Sequence, residues 1–388
     1  MPPVSCDALT IEGTSLTKAS KDQLLFMLLR RFILPVTRTF QHNYCSMELK
    51  RVVALLDGFA SPSLAESWDN VGLLVQPYTQ REIKTVLLTN DLTEKVMDEA
   101  VQEKADLILS YHPPLFRPFK RITTGWKDRI VACCLEKGIA VYSPHTAYDT
   151  LKGGVNDWLL KAFQVKAAAP LQQKDAPQPY THQLEAHLTS DAAAAELVQR
   201  VTQEFGEKIA VLKDGKDCMK VLCREADLSS IVDLATTRLK SVKFVLTKLK
   251  KVPLSGHGAG RKASLVEPIT IQEAIDAVKI HLEMHYLRVA LAHGSALDSE
   301  VKSVAVCAGS GASVLGGAED CDLWLTGEMS HHEVLDAVHK GCTVLLAEHS
   351  NTERGYLENV LKPQLQELFE GKVRVFFSQY DNDPLEII

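Results

Sequence analysis

His349 and Glu353 stand four residues apart just after the apolar run Val344-Leu345-Leu346, where a buried strand is expected to end and hand over to a helix. Open α/β sheets place their ligand sites at the carboxyl ends of strands, and a spacing of four on a first helical turn points two side chains the same way. One imidazole and one carboxylate therefore converge, a pairing that binds a divalent cation or moves a proton, although most such pairs on helices are plain surface chemistry. A second copy of the design favours the functional reading: His145 and Asp149 follow the apolar run Ile139-Ala140-Val141-Tyr142 at the same spacing. His112 follows Leu107-Ile108-Leu109-Ser110, and its counterpart Glu328 follows Leu323-Trp324-Leu325-Thr326, with His331 and His332 just beyond.

Positioning these residues requires two sheets whose strand ends meet. Residues 84–149 and 303–353 read as diverged copies of one strand-helix-strand-helix-strand unit, with Val86-Leu87-Leu88-Thr89-Asn90-Asp91 set against Val304-Ala305-Val306-Cys307-Ala308-Gly309. Apolar strands alternating with helices imply mostly parallel sheets, and the two copies are expected to face a shared cleft. Ahead of the first copy, a helix ends at Gly58, and Trp68 and Asp69 set a structural turn into a strand ending near Val75.

Between the copies the texture changes. Ala167-Ala168-Ala169-Pro170 and Pro177-Gln178-Pro179 read as a linker, after which strands and helices follow the βαββαβ order of a ferredoxin-like plan. This inserted α+β domain gathers no catalytic residue types, which favours a structural, assembly or gating role. The glycines of Gly256-His257-Gly258-Ala259-Gly260-Arg261 suit a phosphate-cradling turn or, more commonly, a plain linker. The expected division is an extension over 1–47, a first α/β lobe over 48–165, an inserted domain over 166–253 and a second α/β lobe over 254–388.

The chain has 388 residues, of which 46% are hydrophobic and 24% charged, enough for two or three domains with real cores. A net charge of -6 gives no global attraction to phosphate backbones, so no direct nucleic-acid partner is expected, and no run is long enough to span a membrane. Nine cysteines without a Cys-x-x-Cys pair suggest reduced thiols in a cytoplasmic type of compartment. From Gln23 to Met47 there is no acid, while Arg30, Arg31 and Arg38 interrupt apolar runs. Such a segment is either a mitochondrial presequence, particularly with a start at Met27, or an untargeted extension.

Four ordered motifs carry a family resemblance: Ser110-Tyr111-His112-Pro113-Pro114-Leu115-Phe116, Ser143-Pro144-His145-Thr146-Ala147-Tyr148-Asp149, Thr326-Gly327-Glu328-Met329-Ser330-His331-His332 and Glu348-His349-Ser350-Asn351-Thr352-Glu353-Arg354-Gly355. Over residues 48–388 the chain resembles the Nif three-like family, the YbgI-like group also labelled GTP cyclohydrolase I type two, in its eukaryotic branch. The resemblance implies a two-metal site between the α/β halves, with His112, Asp149, His349 and Glu353 as ligands, and assembly into homodimers or larger rings. One position departs from the family pattern: the first histidine of its His-His-Pro motif is Tyr111 here, which takes one ligand from one metal or replaces it with a phenol.

Two imidazoles and two carboxylates suit zinc, manganese or iron without distinguishing among them. A metal pair of this kind would make the protein a hydrolase of a nucleotide or phosphoester, with Tyr111, His145, Glu328, His331 and His332 as outer-shell or proton-transfer groups. Two other readings stand beside it. One is a non-enzymatic partner of transcriptional regulators, a co-repressor moving between cytoplasm and nucleus, as the eukaryotic branch suggests. The other is a metal-binding or metal-delivery protein.

Overall fold

The computed structural model describes residues 45–79, 82–187, 190–213, 218–238 and 243–385; the expected extension lies, as far as residue 44, outside them. The chain enters through helix α1 (Leu49–Phe59), whose Leu49, Val52 and Leu56 turn inward, and strand β1 (Gly72–Val75). The first unit then runs β2 (Thr85–Thr89), α2 (Glu94–Gln102), β3 (Leu107–Ser110), α3 (Trp126–Lys137) and β4 (Ala140–Ser143), closing with the short helix α4 (Thr146–Thr150). All four residues of β3 and of β4 are buried, as expected for strands covered on both faces. A further helix, α5 (Val155–Leu160), leads out of this lobe.

Of the two stretches read as a linker, Pro177–Pro179 lies outside any strand or helix, but Ala167–Pro170 is part of a strand. β5 (Val165–Asp175) pairs antiparallel with a strand of 18 residues that closes the inserted domain, and Ala168, Ala169 and Pro170 face Ala263, Lys262 and Arg261 across the ladder. A proline is tolerated because β5 is the edge of its sheet, and an edge strand exposed over most of its length shows no apolar alternation to betray it. The inserted domain proper is β6 (His182–His187), α6 (Asp191–Phe205), β7 (Ala210–Lys213), β8 (Cys218–Cys223), α7 (Glu225–Arg238) and β9 (Lys243–Lys248). Its four antiparallel strands lie in the order β9-β6-β8-β7, the ferredoxin-like arrangement.

The 18-residue strand, β10 (Pro253–Thr270), replaces the expected glycine linker. Gly258 passes so close to β5 that a Cβ there would lie 2.1 Å from the Gln172 carbonyl oxygen, so these glycines serve strand contact rather than a phosphate. Helix α8 (Ile271–Leu282) starts on a capping box between Thr270 and Glu273, then come β11 (Arg288–Ala290), β12 (Glu300–Cys307), α9 (Ala312–Leu315), β13 (Leu323–Thr326), α10 (His331–His339) and β14 (Thr343–Leu346). β12, β13 and β14 are parallel and in register like β2, β3 and β4, while β11, β10 and β5 add antiparallel edges in the order β11-β14-β13-β12-β10-β5. The last strand, β15 (Arg374–Phe377), returns to the first lobe and lies parallel to β2, giving the order β15-β2-β3-β4-β1. The protein is thus α/β, with two related lobes of mostly parallel strands and an inserted ferredoxin-like domain. None of the described helices is long and apolar enough to cross a membrane.

One apolar cluster spans both lobes, joining Val86, Leu88, Leu107 and Leu109 to Val304, Val306, Leu323 and Leu345. An ion pair fastens the same boundary: Arg261, 1% exposed, sends Nε and an Nη to the two oxygens of half-buried Asp157, both at 2.8 Å, and its other bonds go to the carbonyls of Gly256, Gly258, Gly260 and Leu151. Removing one member of such a pair strands the other's charge. Asp157→Ala is therefore expected to cost about 3 kcal/mol, read as a lower urea midpoint at unchanged slope; an unmoved midpoint would show that the carbonyl cage alone supports Arg261.

Candidate metal centre

Both parallel units end their strands at the same cleft. The chain leaves β3 at Ser110 and β14 at Leu346, and His112 and His349 meet there with ring centroids 5.1 Å apart. Glu353 reaches both: its Oε2 lies 3.3 Å from His112 Nε2 and its Oε1 3.5 Å from His349 Nε2. One donor atom from each of the three side chains lies within 4.8 Å of the other two.

Each donor is aimed by a second polar group. Asp91 Oδ1 sits 3.0 Å from His112 Nδ1, and Glu328 Oε1 sits 2.8 Å from His349 Nδ1, so each ring is oriented through Nδ1 and turns its Nε2 toward Glu353. Asn90 Nδ2 donates to Glu353 Oε2 at 3.0 Å. The Asn90 backbone N–H donates to Asp381 Oδ2 at 2.5 Å, and Ser350 Oγ donates to Asp383 at 2.7 Å, so the segment after β15 braces the site from outside.

His349 and Glu353 do not share one helical turn, as their spacing suggested. Ser350–Thr352 forms a 3-10 turn, Glu353 breaks it at φ -126° and ψ -43°, and a new helix starts at Arg354. The Thr352 hydroxyl explains the interruption: it donates to the His349 carbonyl at 2.7 Å and accepts the Gly309 amide at 2.8 Å, tying the turn to the end of β12. Glu348, at φ +61°, swings the chain so that His349 can face the cleft.

Gly309 forms the floor under these groups, at φ +63°. A Cβ there would stand 2.7 Å from Glu353 Oε1 and 3.0 Å from His349 Nε2. Gly309→Ala is expected to weaken divalent-metal binding about 10–100-fold by displacing both groups, with little change in secondary structure. Equal affinity in a manganese(II) titration would show that the cradle is not needed.

The donor set fits a divalent cation. His112 Nε2 is buried and meets Glu353 at 3.3 Å as a charge pair without the geometry of a hydrogen bond, an arrangement that a shared cation would complete. Burial pushes the His112 imidazole down, but the adjacent Glu353 and Asp91 outweigh it and lift the ring well above its ordinary value. Burial likewise pushes Glu353 up, and His112, His349 and the Asn90 amide more than reverse this.

Asp149 lies beside this set but is engaged elsewhere, its Oδ1 accepting the Tyr111 hydroxyl at 2.5 Å. Burial and the charge of Glu353 push its carboxyl up to about 6. Tyr111 is fully buried, and burial and Asp149 push its phenol well above the usual range. His145 stands 5.4 Å ring to ring from His112, and its Nδ1 lies 2.7 Å from Asp69 Oδ1. Asp69, read as a structural turn residue, also accepts the Thr146 amide and hydroxyl, and these bonds hold its carboxyl low against burial. His331 and His332 sit exposed on the first turn of α10, packed on one another with ring centroids 5.3 Å apart. Sequence reasoning missed Asn90, Asp91 and the bracing role of Asp69; the signal available was that Asn90-Asp91 follows β2 at the strand edge that supplies His112.

Comparison with known proteins agrees with this architecture. Residues 47–384 match the family described as Duf34/NIF3 (NGG1p interacting factor 3). NIF3-like protein 1 of Bos taurus is 44% identical over 352 residues, covering 88% of this chain and 93% of the relative. NGG1-interacting factor 3 of Saccharomyces cerevisiae is 33% identical over 353 residues, covering 88% and 97%. Among solved structures, a Bacillus cereus protein related to NIF3 superposes with a TM-score of 0.63 at 24% identity, over 88% of this chain and 99% of that one, a likeness of fold. On the match over residues 47–384 and the identity to full-length eukaryotic relatives, this chain belongs to the Duf34/NIF3 family.

Proposed function

We propose that the protein is a divalent-metal hydrolase of a phosphoester or nucleotide, with His112, His349 and Glu353 holding the cation. The buried Nε2 of His112 facing Glu353 carries this reading, because a buried imidazole nitrogen without a hydrogen bond is costly unless a ligand completes it. A cation held there supplies Lewis acidity to a water and to a phosphoryl oxygen. Asp91, Glu328 and Asn90 keep the three donors converged without rearrangement. His145, with its Nδ1 fixed by Asp69, has Nε2 left to take or give a proton at the rim of the cleft. Trp68 and Phe116, both exposed and packed edge-on to His145 and to one another, flank it with apolar surface against which a substrate can lie.

The test is turnover of a panel of phosphomonoesters, phosphodiesters and nucleoside triphosphates by manganese-loaded protein. His145→Ala is expected to lower kcat about 10²–10⁴-fold with metal content kept, and Glu353→Ala to abolish both. Turnover that persists in Glu353→Ala would assign the activity elsewhere.

The name of the yeast relative favours a second reading, in which the chain binds a transcriptional regulator without turnover. Partner binding would then survive Glu353→Ala undiminished, and the panel would yield no substrate.

A further inference from the structure

We propose that the open face of the inserted domain carries a separate metal site, built from Glu185, His187 and Cys218, for a borderline divalent cation of the zinc type. The alternation of β6 sends Leu184 and Ala186 into the domain's core and leaves Glu185 and His187 on the opposite face. β8 does the same with Met219 and Val221 inward and Cys218 outward. The antiparallel register sets Cys218 directly opposite His187, a pairing that holds Cβ atoms about 4.5–5.5 Å apart. His187 Nε2 lies 3.1 Å from Glu185 Oε1, and the nitrogen, sulfur and carboxylate donors all lie within 4.8 Å of one another.

Tetrahedral zinc with bonds of about 2.0–2.3 Å needs donors about 3.3–3.8 Å apart, so side-chain rotation of about 1 Å completes the triad on a backbone that the ladder already fixes. An ion pair alone would explain Glu185 beside His187 but not the sulfur brought to the same point. A thiolate with an imidazole also selects against magnesium and calcium, which favour oxygen. Lys220 stands across from Glu185, and Lys243 across from His187 on β9.

The cluster of His112, His349 and Glu353 contains no sulfur, so a sulfur-specific signal separates the two sites. Full-length protein in a non-thiol reductant is titrated with cobalt(II) chloride, following the near-ultraviolet thiolate-to-cobalt charge-transfer absorption. The wild type is expected to show this band and to lose it to competing zinc(II). Cys218→Ser should abolish it, and His187→Gln should weaken cobalt binding more than about tenfold; neither side chain is buried, and circular dichroism checks that both variants fold. The His349→Ala/Glu353→Ala double variant should keep the band in full. No band in the wild type, an unchanged band in Cys218→Ser, or its loss in the double variant would each overturn the proposal.

Discussion

The His349→Ala/Glu353→Ala double variant, loaded with manganese(II) beside the wild type, is expected to retain less than about a tenth of the tightly bound metal, since losing even an outer-shell partner costs 10–100-fold. Manganese is the probe because it prefers nitrogen and oxygen donors, which keeps it off the cysteine-bearing face of the inserted domain. The loss should come without unfolding. The turn that carries both residues is held by other groups: Asn351 Nδ2 donates to the Ala347 carbonyl at 3.1 Å, Arg354 donates to Asn351 Oδ1 and Ser350 Oγ, both at 2.8 Å, and Thr352 ties it to Gly309. Removing Glu353 takes away the largest of the charges that raise His112 and leaves Asp91 as its remaining carboxylate partner. Manganese content equal to that of the wild type, by elemental mass spectrometry, would sink the assignment of the centre.

Tyr111→His should raise the manganese bound from about one to about two per chain, the count of a paired-metal site. In the wild type the Tyr111 phenol occupies the Asp149 oxygen at 2.5 Å, which keeps that carboxylate from a second cation. An imidazole in its place adds a donor next to His112 and releases Asp149, so one substitution supplies two ligands. Tyr111→Phe separates these effects: it releases Asp149 without adding a donor, leaves a buried carboxyl short of a hydrogen bond at a cost of about 1–3 kcal/mol, and should leave the metal count near that of the wild type. The same stoichiometry in Tyr111→His as in the wild type would mean that Tyr111 does not decide the count.

What the sequence made legible follows from burial on both faces. β3, β4, β13 and β14 are short, wholly apolar or hydroxyl-bearing runs, and a run of that kind announces its end, so His112, His145, Glu328 and His349 could be placed at strand edges from residue types alone. The duplication was readable for the same reason. β5 and β10 were hidden because an edge strand built from alanine, glutamine and proline, paired to a glycine-rich partner, carries neither apolar alternation nor strand propensity. Asn90 and Asp91 read as loop residues until β2 was placed beside β3, since their roles depend on Glu353 and His112 coming across the cleft. The interrupted turn between His349 and Glu353 depends on the Thr352 hydroxyl finding Gly309, a contact between distant parts of the chain that local spacing does not contain.

The placement of β15 governs how the protein is made. The first lobe's sheet is bordered on one side by a strand synthesised after the whole of the inserted domain and the second lobe, and Ser378, just past that strand, donates to Glu99, 279 residues earlier. At translation rates of about 5–20 residues per second, β2 emerges from the ribosome roughly 15–60 s before its neighbour. For that interval Val86, Leu87 and Leu88 present an unpaired apolar edge, the kind of surface that aggregates or is held by chaperones. The nascent first lobe therefore lacks one border of its sheet until Arg374 to Phe377 arrive, and chains cut short upstream of Arg374 are expected to be more prone to aggregation than the whole chain.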